Sequence, residues 1–175
     1  MIVITGGAGF IGSAVIQELN GRGRTDLIVV DDVDHPEKEK NLASIKYKKI
    51  IRKEIFLENV LNRGLESIEA IIHMGACSST TETDESFLIK NNYEYTRHLA
   101  AYAIEKDIRF IYASSAATYG NGEMGYCDDE SKLHTLKPLN LYGHSKHDLD
   151  LWAKDQGILD RIVGLKYFNI FGPNE

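Results

Sequence analysis

The sequence has little cysteine, few clustered positive charges and no long apolar run, and each shortage excludes a class of protein. Cys77 and Cys127 are the only two cysteines among 175 residues, so we expect a reducing compartment and no disulfide framework. The net charge of −6 does not suit a nucleic-acid partner. No apolar run is long enough to span a bilayer, and a strand predicted from Ile2 leaves no place for a signal peptide. We therefore expect a cytoplasmic protein without a membrane partner.

A metal site is not expected either. His144 and His147 are close in sequence, but neither a carboxylate nor a cysteine is obviously placed to complete a metal site with them. A packed or solvated histidine pair is the simpler interpretation. His73 ends a predicted buried strand and is expected to be a core histidine. Cys77 lies in a turn of small residues with no evident base, so we interpret it as a compact residue and not as a nucleophile.

Three glycines separate a short apolar run from a predicted helix at the start of the chain. Gly6, Gly9 and Gly12 follow residues 1–4 and precede residues 13–19. This order of strand, glycine turn and helix is typical of a dinucleotide-binding unit, in which helix N–H groups face a pyrophosphate. The spacing is GxxGxxG, one residue longer at its start than GxGxxG. The alternative is an ordinary turn between a strand and a helix.

A second apolar run ends in two carboxylates. Residues 26–32 are continuously apolar in their middle, as expected for a parallel strand that is covered on both faces. Asp31 follows Gly12 by nineteen residues, close to the spacing at which an acidic side chain meets the adenosine ribose. Asp31 and Asp32 are therefore candidates for contact with the cofactor.

Predicted strands and helices alternate along the whole chain, which favours an α/β fold with a doubly wound parallel sheet of the Rossmann-like type. Further strands are predicted at 49–51, 69–76, 107–113 and 162–168, and further helices at 54–62, 85–106 and from Pro138 to about 154. We expect the hydroxyl-rich segment 78–83 to cap the helix that follows it. Residues 35–40 and 121–137 are predicted loops.

A tyrosine and a lysine that are one helical turn apart are the candidates for proton transfer. Tyr142 and Lys146 share one helix face, and a nearby lysine charge favours the phenolate, as an oxidised nicotinamide ring does. Ser115, at the end of the fifth strand, is placed to hydrogen-bond a reacting hydroxyl. The same spacing recurs at Tyr102 and Lys106, which precede that strand and are interpreted as a helix-surface pair. The alternative for Tyr142 is a purely structural role, as a tyrosine packed on its helix beside a solvated lysine.

Four segments resemble a known family. They are TGGAGFIG at 5–12, GACSSTTE at 75–82, YASSAATYG at 112–120 and KYFNIFGP at 166–173. With Tyr142 and Lys146 they resemble the extended short-chain dehydrogenase/reductases (NAD-dependent epimerase/dehydratase family), and among these the ADP-L-glycero-D-manno-heptose 6-epimerases. GACSSTT is the most discriminating segment. The resemblance extends over the whole chain, from Met1 to Glu175.

The resemblance implies a tightly held NADP. It implies that Lys146 holds the nicotinamide ribose, that Tyr142 is the acid/base and that Asn169 contacts the sugar nucleotide. The residues that it assigns to the cofactor are Gly6, Gly9, Phe10, Ile11 and Gly12 at the pyrophosphate, Asp31 and Asp32 at the adenosine, Lys38 and Lys53 at the 2′-phosphate, and Met74, Gly75, Ala76, Cys77, Ser78, Asn91 and Ile170 along its border.

The sequence departs from this family at two places. The family commonly has asparagine where this chain has Asp32, and a second carboxylate repels a 2′-phosphate, which favours NAD. Lys38 and Lys53 favour NADP, which is our prediction. The family also continues beyond Glu175, into a substrate domain and a second catalytic lysine. We therefore expect one dinucleotide-binding domain over 1–175, a largely missing substrate domain, and no turnover by these residues alone.

The resemblance implies inversion of C6 of ADP-D-glycero-D-manno-heptose through a transient 6-keto sugar, for the heptose of the lipopolysaccharide inner core. It also implies a homo-oligomer. The first alternative is another nucleotide-sugar epimerase or a dehydratase, although Ala116 and Ala117 stand where a dehydratase usually has an acidic pair. The second alternative is a non-catalytic NADP-binding domain.

Overall fold

The computed structural model describes residues 1–65 and 67–173. Six strands alternate with helices along these residues. The strands are β1 (Ile2–Thr5), β2 (Leu27–Val30), β3 (Lys49–Ile51), β4 (Ala70–His73), β5 (Arg109–Ser115) and β6 (Ile162–Tyr167). The α-helices are α1 (Phe10–Gly21), α2 (Pro36–Leu42), α3 (Lys53–Leu61), α4 (Glu85–Leu88), α5 (Tyr95–Glu105) and α6 (Leu141–Asp155).

Hydrogen bonds join the strands in the order β3-β2-β1-β4-β5-β6. The pairings of β1 with β2, β1 with β4 and β2 with β3 are parallel. This strand order is that of the doubly wound dinucleotide-binding fold. The predicted fold class is therefore confirmed.

The chain divides into two compact units. The first unit consists of the described residues within Met1–Gly75, His98–Ile111 and Phe171–Glu175. The second unit consists of Ala76–Arg97 and Tyr112–Ile170. The predicted end of the dinucleotide-binding domain at Glu175 lies outside the described residues.

The core of the first unit lies around its central strands. Every residue of β1 and β2 is buried, as the continuous apolar runs predict for parallel strands that are covered on both faces. Ile16 of α1 is fully buried in the same cluster as Ile4 and Val29. The β-branched side chains of these strands favour the extended backbone.

We predicted residues 35–40 as a loop, but residues 36–40 lie in α2 and His35 is its N-cap. Pro36 occupies the start of this helix, where its missing N–H costs no hydrogen bond. Glu37 and Glu39 lie in the first turn and Lys40 in the last, so the side-chain charges complement the helix dipole. The charged composition that suggested a loop therefore favours a short helix.

The predicted helix over 85–106 contains a π-helical segment at Ile89–Glu94 between α4 and α5. The N-cap of α4 is Asp84, whose carboxylate accepts a hydrogen bond from the Phe87 N–H at 2.9 Å. The prediction that the hydroxyls of 78–83 cap this helix is therefore wrong. A carboxylate is an equally good cap and, at the helix N-terminus, also interacts with the helix dipole.

The predicted loop at 121–137 is irregular except for one 3₁₀ turn at Glu130–Thr135. Within residues 1–65 and 67–173, no helix has the length and apolar character that a membrane crossing requires. In the same residues, no three side chains of His, Cys, Asp or Glu are grouped so that they could hold a metal ion.

Candidate active site

The glycine turn of the first unit is closely packed at Gly6 and Gly12. Gly6 has φ of +65°, and a Cβ there would lie 2.5 Å from the backbone nitrogen of Gly75. A Cβ at Gly12 would lie 2.1 Å from the carbonyl oxygen of Gly6. Both positions therefore require glycine. At Gly9, which precedes the first turn of α1, the nearest atom to a Cβ would be 3.3 Å away, so this position is less crowded.

Side chains from two other segments hold the glycine turn in place. The Ala8 N–H donates to Asp31 Oδ2 at 2.9 Å, and the Asn41 side-chain amide donates to the Ala8 carbonyl at 3.0 Å. Thr5, just before the turn, is hydrogen-bonded to His73 at the end of β4. Asp31 is thus tied to the turn, and the prediction that His73 is a buried core residue is confirmed.

Lys38, which we predicted to be available for a 2′-phosphate, is already engaged. Its ammonium donates to Asp31 Oδ1 at 2.8 Å and to the Asp32 carbonyl at 2.9 Å. The same Asp31 oxygen accepts from the Asp32 N–H at 2.8 Å. Lys38 therefore neutralises the carboxylate that supports the glycine turn.

Two basic side chains flank the Asp32 carboxylate. Arg52 Nε lies 3.6 Å from Asp32 Oδ1, and Lys53 Nζ lies 3.6 Å from Asp32 Oδ2. Asp32 Oδ1 has no hydrogen-bond partner among the residues that the structure describes. The Arg52 side chain is 71% exposed and that of Lys53 is 42% exposed. Arg52 was missed by the sequence reasoning, although its place beside Lys53 at the end of a predicted strand was a usable signal.

The second unit brings Ser115, Tyr142 and Lys146 together. Asn140 caps α6 by accepting from the Gly143 N–H at 2.7 Å, so Tyr142 and Lys146 lie in the first two turns of the helix. Ser115, the last residue of β5, forms a side-chain hydrogen bond with Tyr142. Lys146 Nζ donates to the Ala113 carbonyl at 2.8 Å.

Burial dominates the electrostatics of this trio. The pKa of Tyr142 is raised, because burial penalises the phenolate more than the Ser115 hydrogen bond stabilises it. From the Lys146 charge and a bound oxidised nicotinamide ring, we expected a lowered Tyr142 pKa. Burial also lowers the pKa of Lys146 to about 8, against a smaller raising effect of the Asp150 and Cys77 charges. Lys146 is thus mostly protonated at neutral pH.

The backbone of Cys77 is held by Asn92, which lies in the π-helical segment. The Asn92 side chain accepts from the Cys77 N–H at 2.8 Å and donates to the Cys77 carbonyl at 2.9 Å. It also donates to Ser145 of α6 at 3.1 Å. We predicted the neighbouring Asn91, which donates to Asn92 at 3.0 Å. Asn92 was missed because a continuous 3.6-residue periodicity does not show a π-helical segment.

The second tyrosine–lysine pair is not a helix-surface pair. Tyr102 is buried, and its hydroxyl donates to the Leu65 carbonyl at 3.1 Å. Tyr102 therefore anchors the segment after α3, and the prediction of a surface position is wrong for it. Lys106 lies 3.8 Å from Glu105.

The two histidines of α6 have different surroundings, one solvated and one packed. His144 is exposed, whereas His147 is buried, and its Nδ1 has no hydrogen-bond partner within the described part of the chain. Burial lowers the pKa of His147. The residues predicted to border the cofactor differ in exposure: Met74, Gly75, Ala76, Cys77 and Asn91 are half-buried, and Ser78 and Ile170 are exposed. Asn169, the predicted sugar contact, is also exposed.

Comparisons with known proteins agree with this geometry. The model of the NAD dependent epimerase/dehydratase family matches residues 2–175. The chain is 49% identical over 176 residues to an ADP-L-glycero-D-manno-heptose-6-epimerase of Nitratidesulfovibrio vulgaris (strain DP4), covering 100% of this chain and 54% of that relative. It is 45% identical over 181 residues to one of Brachyspira hyodysenteriae, covering 100% of this chain and 56% of that relative.

The solved structures give the same result. The crystal structure of the ADP-L-glycero-D-manno-heptose-6-epimerase of Helicobacter pylori superposes with a TM-score of 0.82 at 30% identity, over 99% of this chain and 56% of that one. A UDP-N-acetylglucosamine 4-epimerase of Methanobrevibacter ruminantium M1 superposes with a TM-score of 0.80 at 25% identity, over 99% and 56%. The chain thus spans about half the length of the relatives that it matches.

Proposed function

The chain belongs to the NAD dependent epimerase/dehydratase family, and we propose that its protein inverts C6 of ADP-D-glycero-D-manno-heptose through a transient 6-keto sugar. The observation that carries the proposal is the contact of Ser115 with Tyr142, one helical turn before Lys146. A binding module does not need this trio. The choice of an ADP-heptose as substrate rests on the relatives of that name at 45% and 49% identity.

In this mechanism Tyr142, as phenolate, takes the proton of the C6 hydroxyl and later returns it. Burial disfavours the phenolate, so the mechanism relies on the Lys146 charge and on the charge that a bound oxidised nicotinamide ring would supply to favour it. Ser115 orients that hydroxyl and stabilises the phenolate by donating a hydrogen bond. Lys146 supplies a positive charge and holds the nicotinamide ribose. The nicotinamide dinucleotide, when bound, supplies reversible hydride transfer at C6, so the reaction has no net redox change.

The first unit has the features that a dinucleotide requires. Gly6 and Gly12 allow a tight turn before α1, and the uncrowded Gly9 stands where a pyrophosphate would approach the helix N-terminus. Phe10 and Ile11 complete this turn. We propose that Met74, Gly75, Ala76, Cys77, Ser78, Asn91 and Ile170 also contact the cofactor and that Asn169 contacts the sugar nucleotide.

We propose NADP as the preferred cofactor. Asp32 alone would repel a 2′-phosphate, but Arg52 and Lys53 lie on either side of it. With Lys38 on Asp31, three basic side chains accompany two carboxylates. The exposed Arg52 and Lys53 are therefore the proposed 2′-phosphate ligands, and the role of Lys38 is to hold Asp31.

We further propose that the protein acts in the cytoplasm as a homo-oligomer and supplies heptose for lipopolysaccharide. We also propose that residues 1–175 form one dinucleotide-binding domain. The second candidate is a 4-epimerase of UDP-sugars, which the TM-score of 0.80 to the M. ruminantium enzyme supports at the level of the fold.

A substrate panel tests the choice between these candidates. The full-length protein is incubated with ADP-D-glycero-D-manno-heptose, UDP-glucose and UDP-N-acetylglucosamine, and the products are identified by proton NMR. We expect inversion at C6 of the ADP-heptose and no change in the UDP-sugars. Inversion at C4 of a UDP-sugar would support the second candidate, and NADP binding without any product would support a binding module.

A further inference from the structure

The end of β5 contacts α6 at three positions that are one helical turn apart. These contacts join Ser115 to Tyr142, the Ala113 carbonyl to Lys146, and both Tyr112 and Ser114 to Asp150. Two of the three positions belong to the proposed catalytic trio. The third, Asp150, has no role in the proposed chemistry.

Asp150 is buried and fully hydrogen-bonded. Only 3% of its surface is exposed. Its Oδ1 accepts from the Tyr112 hydroxyl at 2.7 Å, and its Oδ2 accepts from the Ser114 hydroxyl at 2.9 Å. Lys166 of β6 also donates to Oδ2, at 2.6 Å. One carboxylate therefore joins α6 to both β5 and β6.

Lys166 fixes the other end of this contact. Its ammonium also donates to Thr118 at 2.8 Å, just after β5, and lies 5.3 Å from the centre of the Tyr119 ring. A buried ion pair contributes little to stability compared with apolar residues of similar size. It does fix one arrangement, because a helix that slides or rotates leaves both charges without partners.

We propose that Asp150 is a positioning residue, whose carboxylate fixes the register of α6 against β5 and so holds Tyr142 and Lys146 opposite Ser115 and Ala113. This inference rests on the proposed function, since it assigns Asp150 a part in the same reaction. Asp150 touches neither Tyr142 nor a reacting atom. It acts through the helix that carries them.

The electrostatics agree with this arrangement. Asp150 lies one turn after Lys146, and its negative charge raises the pKa of Lys146 against the lowering effect of burial. Cys77 is the other titratable group that raises the pKa of Lys146. Asp150 itself faces the Lys166 ammonium and the Tyr112 hydroxyl, and its charge also acts on His147 and Tyr119.

The test compares Asp150→Asn with Asp148→Asn in the full-length protein. Asp148 lies on the same helix but is exposed, so it is a matched control for the loss of one carboxylate. The Lys146 pKa is followed by NMR on protein with labelled lysine, with Lys146→Arg to assign the signal, and kcat and KM are measured against pH.

We expect Asp150→Asn to lower the Lys146 pKa by about one unit and kcat by on the order of 100-fold, with a smaller change in KM. The alkaline limb of the kcat profile should move to lower pH. Asp148→Asn should change none of these. A loss of thermal stability in Asp150→Asn with the Lys146 pKa and the pH profile unmoved would overturn the proposal.

Asp150→Asn leaves Lys166 buried without a carboxylate and can prevent folding, so Asp150→Asn/Lys166→Met is prepared as well. This double variant removes both charges and is expected to fold. The Lys146 pKa should fall in it too, but by less than in Asp150→Asn, because the loss of the Lys166 charge partly offsets the loss of the carboxylate. If neither variant folds, Asp150 is only structural and the proposal is overturned. If the wild type does not epimerise ADP-heptose while the Lys146 pKa still depends on Asp150, the proposed function fails and the positioning role stands.

Discussion

Arg52 and Asp32 lie side by side after two neighbouring parallel strands, with Arg52 Nε 3.6 Å from Asp32 Oδ1. The guanidinium is mostly exposed, whereas the carboxylate is mostly buried. This relationship compensates the Asp32 carboxylate, which by itself would repel a 2′-phosphate. It is the structural basis for our preference for NADP over NAD.

Arg52→Gln should weaken NADP binding about tenfold, as expected for the loss of one charge-assisted hydrogen bond to phosphate, and should leave NAD binding nearly unchanged. Asp32→Asn should strengthen NADP binding, because it removes a repelling charge. Calorimetric titration with both cofactors measures these effects. Arg22→Gln, which removes an exposed arginine paired with Glu18 on α1, is the control. Equal losses for both cofactors in Arg52→Gln would refute this assignment.

Lys38→Gln should behave differently from Arg52→Gln. Lys38 bonds to Asp31, and Asp31 bonds to the Ala8 N–H of the glycine turn, so the substitution should weaken NAD and NADP binding by the same factor. The ratio of the two dissociation constants, measured by the same titrations, should stay as in the wild type. A loss confined to NADP would show instead that Lys38 contacts the 2′-phosphate.

Gly12→Ala should destabilise the first unit. The added Cβ would lie 2.1 Å from the Gly6 carbonyl oxygen and 2.7 Å from the Gly7 Cα, so the helix must move away from the turn. We expect a loss of about 2 kcal/mol in the free energy of unfolding and loss of cofactor binding.

Gly21→Ala is the matched control for Gly12→Ala, because it lies at the last position of the same helix, with no atom within 4 Å of its Cβ. It should leave stability unchanged or raise it by up to about 1 kcal/mol. Urea unfolding of both variants measures the difference. Similar stabilities for the two variants would contradict the close packing at Gly12.

The buried Lys146 should make stability rise with pH on the alkaline side. Its pKa is about 8 in the folded chain, lowered from 10.5. At pH values between about 8 and 10.5, the unfolded chain therefore binds more protons at Lys146 than the folded chain does. Deprotonation then favours folding by up to roughly 1.4 kcal/mol per pH unit.

Lys146→Met removes the titrating group. We expect the variant to be more stable than the wild type at pH 7, where the buried lysine is charged, and this difference in the free energy of unfolding to become smaller as the pH rises from 7 to 9.5. Urea unfolding at several pH values measures it, and the comparison cancels the titration of tyrosines and cysteines elsewhere. A difference that is independent of pH would mean that Lys146 titrates outside this window.

Much of the fold follows from local sequence signals. The buried strands are continuous apolar runs, such as 27–30, and Gly6 and Gly12 mark a turn that has no room for any other residue. Residues 35–40 were wrongly predicted as a loop because of their many charges. The positions of those charges were the better signal, since Pro36 and the two glutamates after it suit the start of a helix. The π-helical segment at 89–94 has no periodic signal of its own.

The site was only partly predictable, because its supporting contacts join distant residues. Tyr142, Lys146 and Ser115 belong to a spacing and a strand end that the sequence displays. Asn92 and Asp150 act through partners far away in the chain, and no local pattern distinguishes them from other polar residues of a helix. The direction of the Tyr142 pKa could not be predicted either, because it depends on burial.

The most direct test of the proposed function is the turnover of ADP-D-glycero-D-manno-heptose by the full-length protein and by its Tyr142→Phe variant. Inversion at C6 is followed by NMR, and NADP affinity is measured for both proteins. The account predicts that the variant binds NADP as the wild type does but turns over about 100- to 10,000-fold more slowly. Unchanged turnover in the variant would contradict the assignment of Tyr142 as the acid/base.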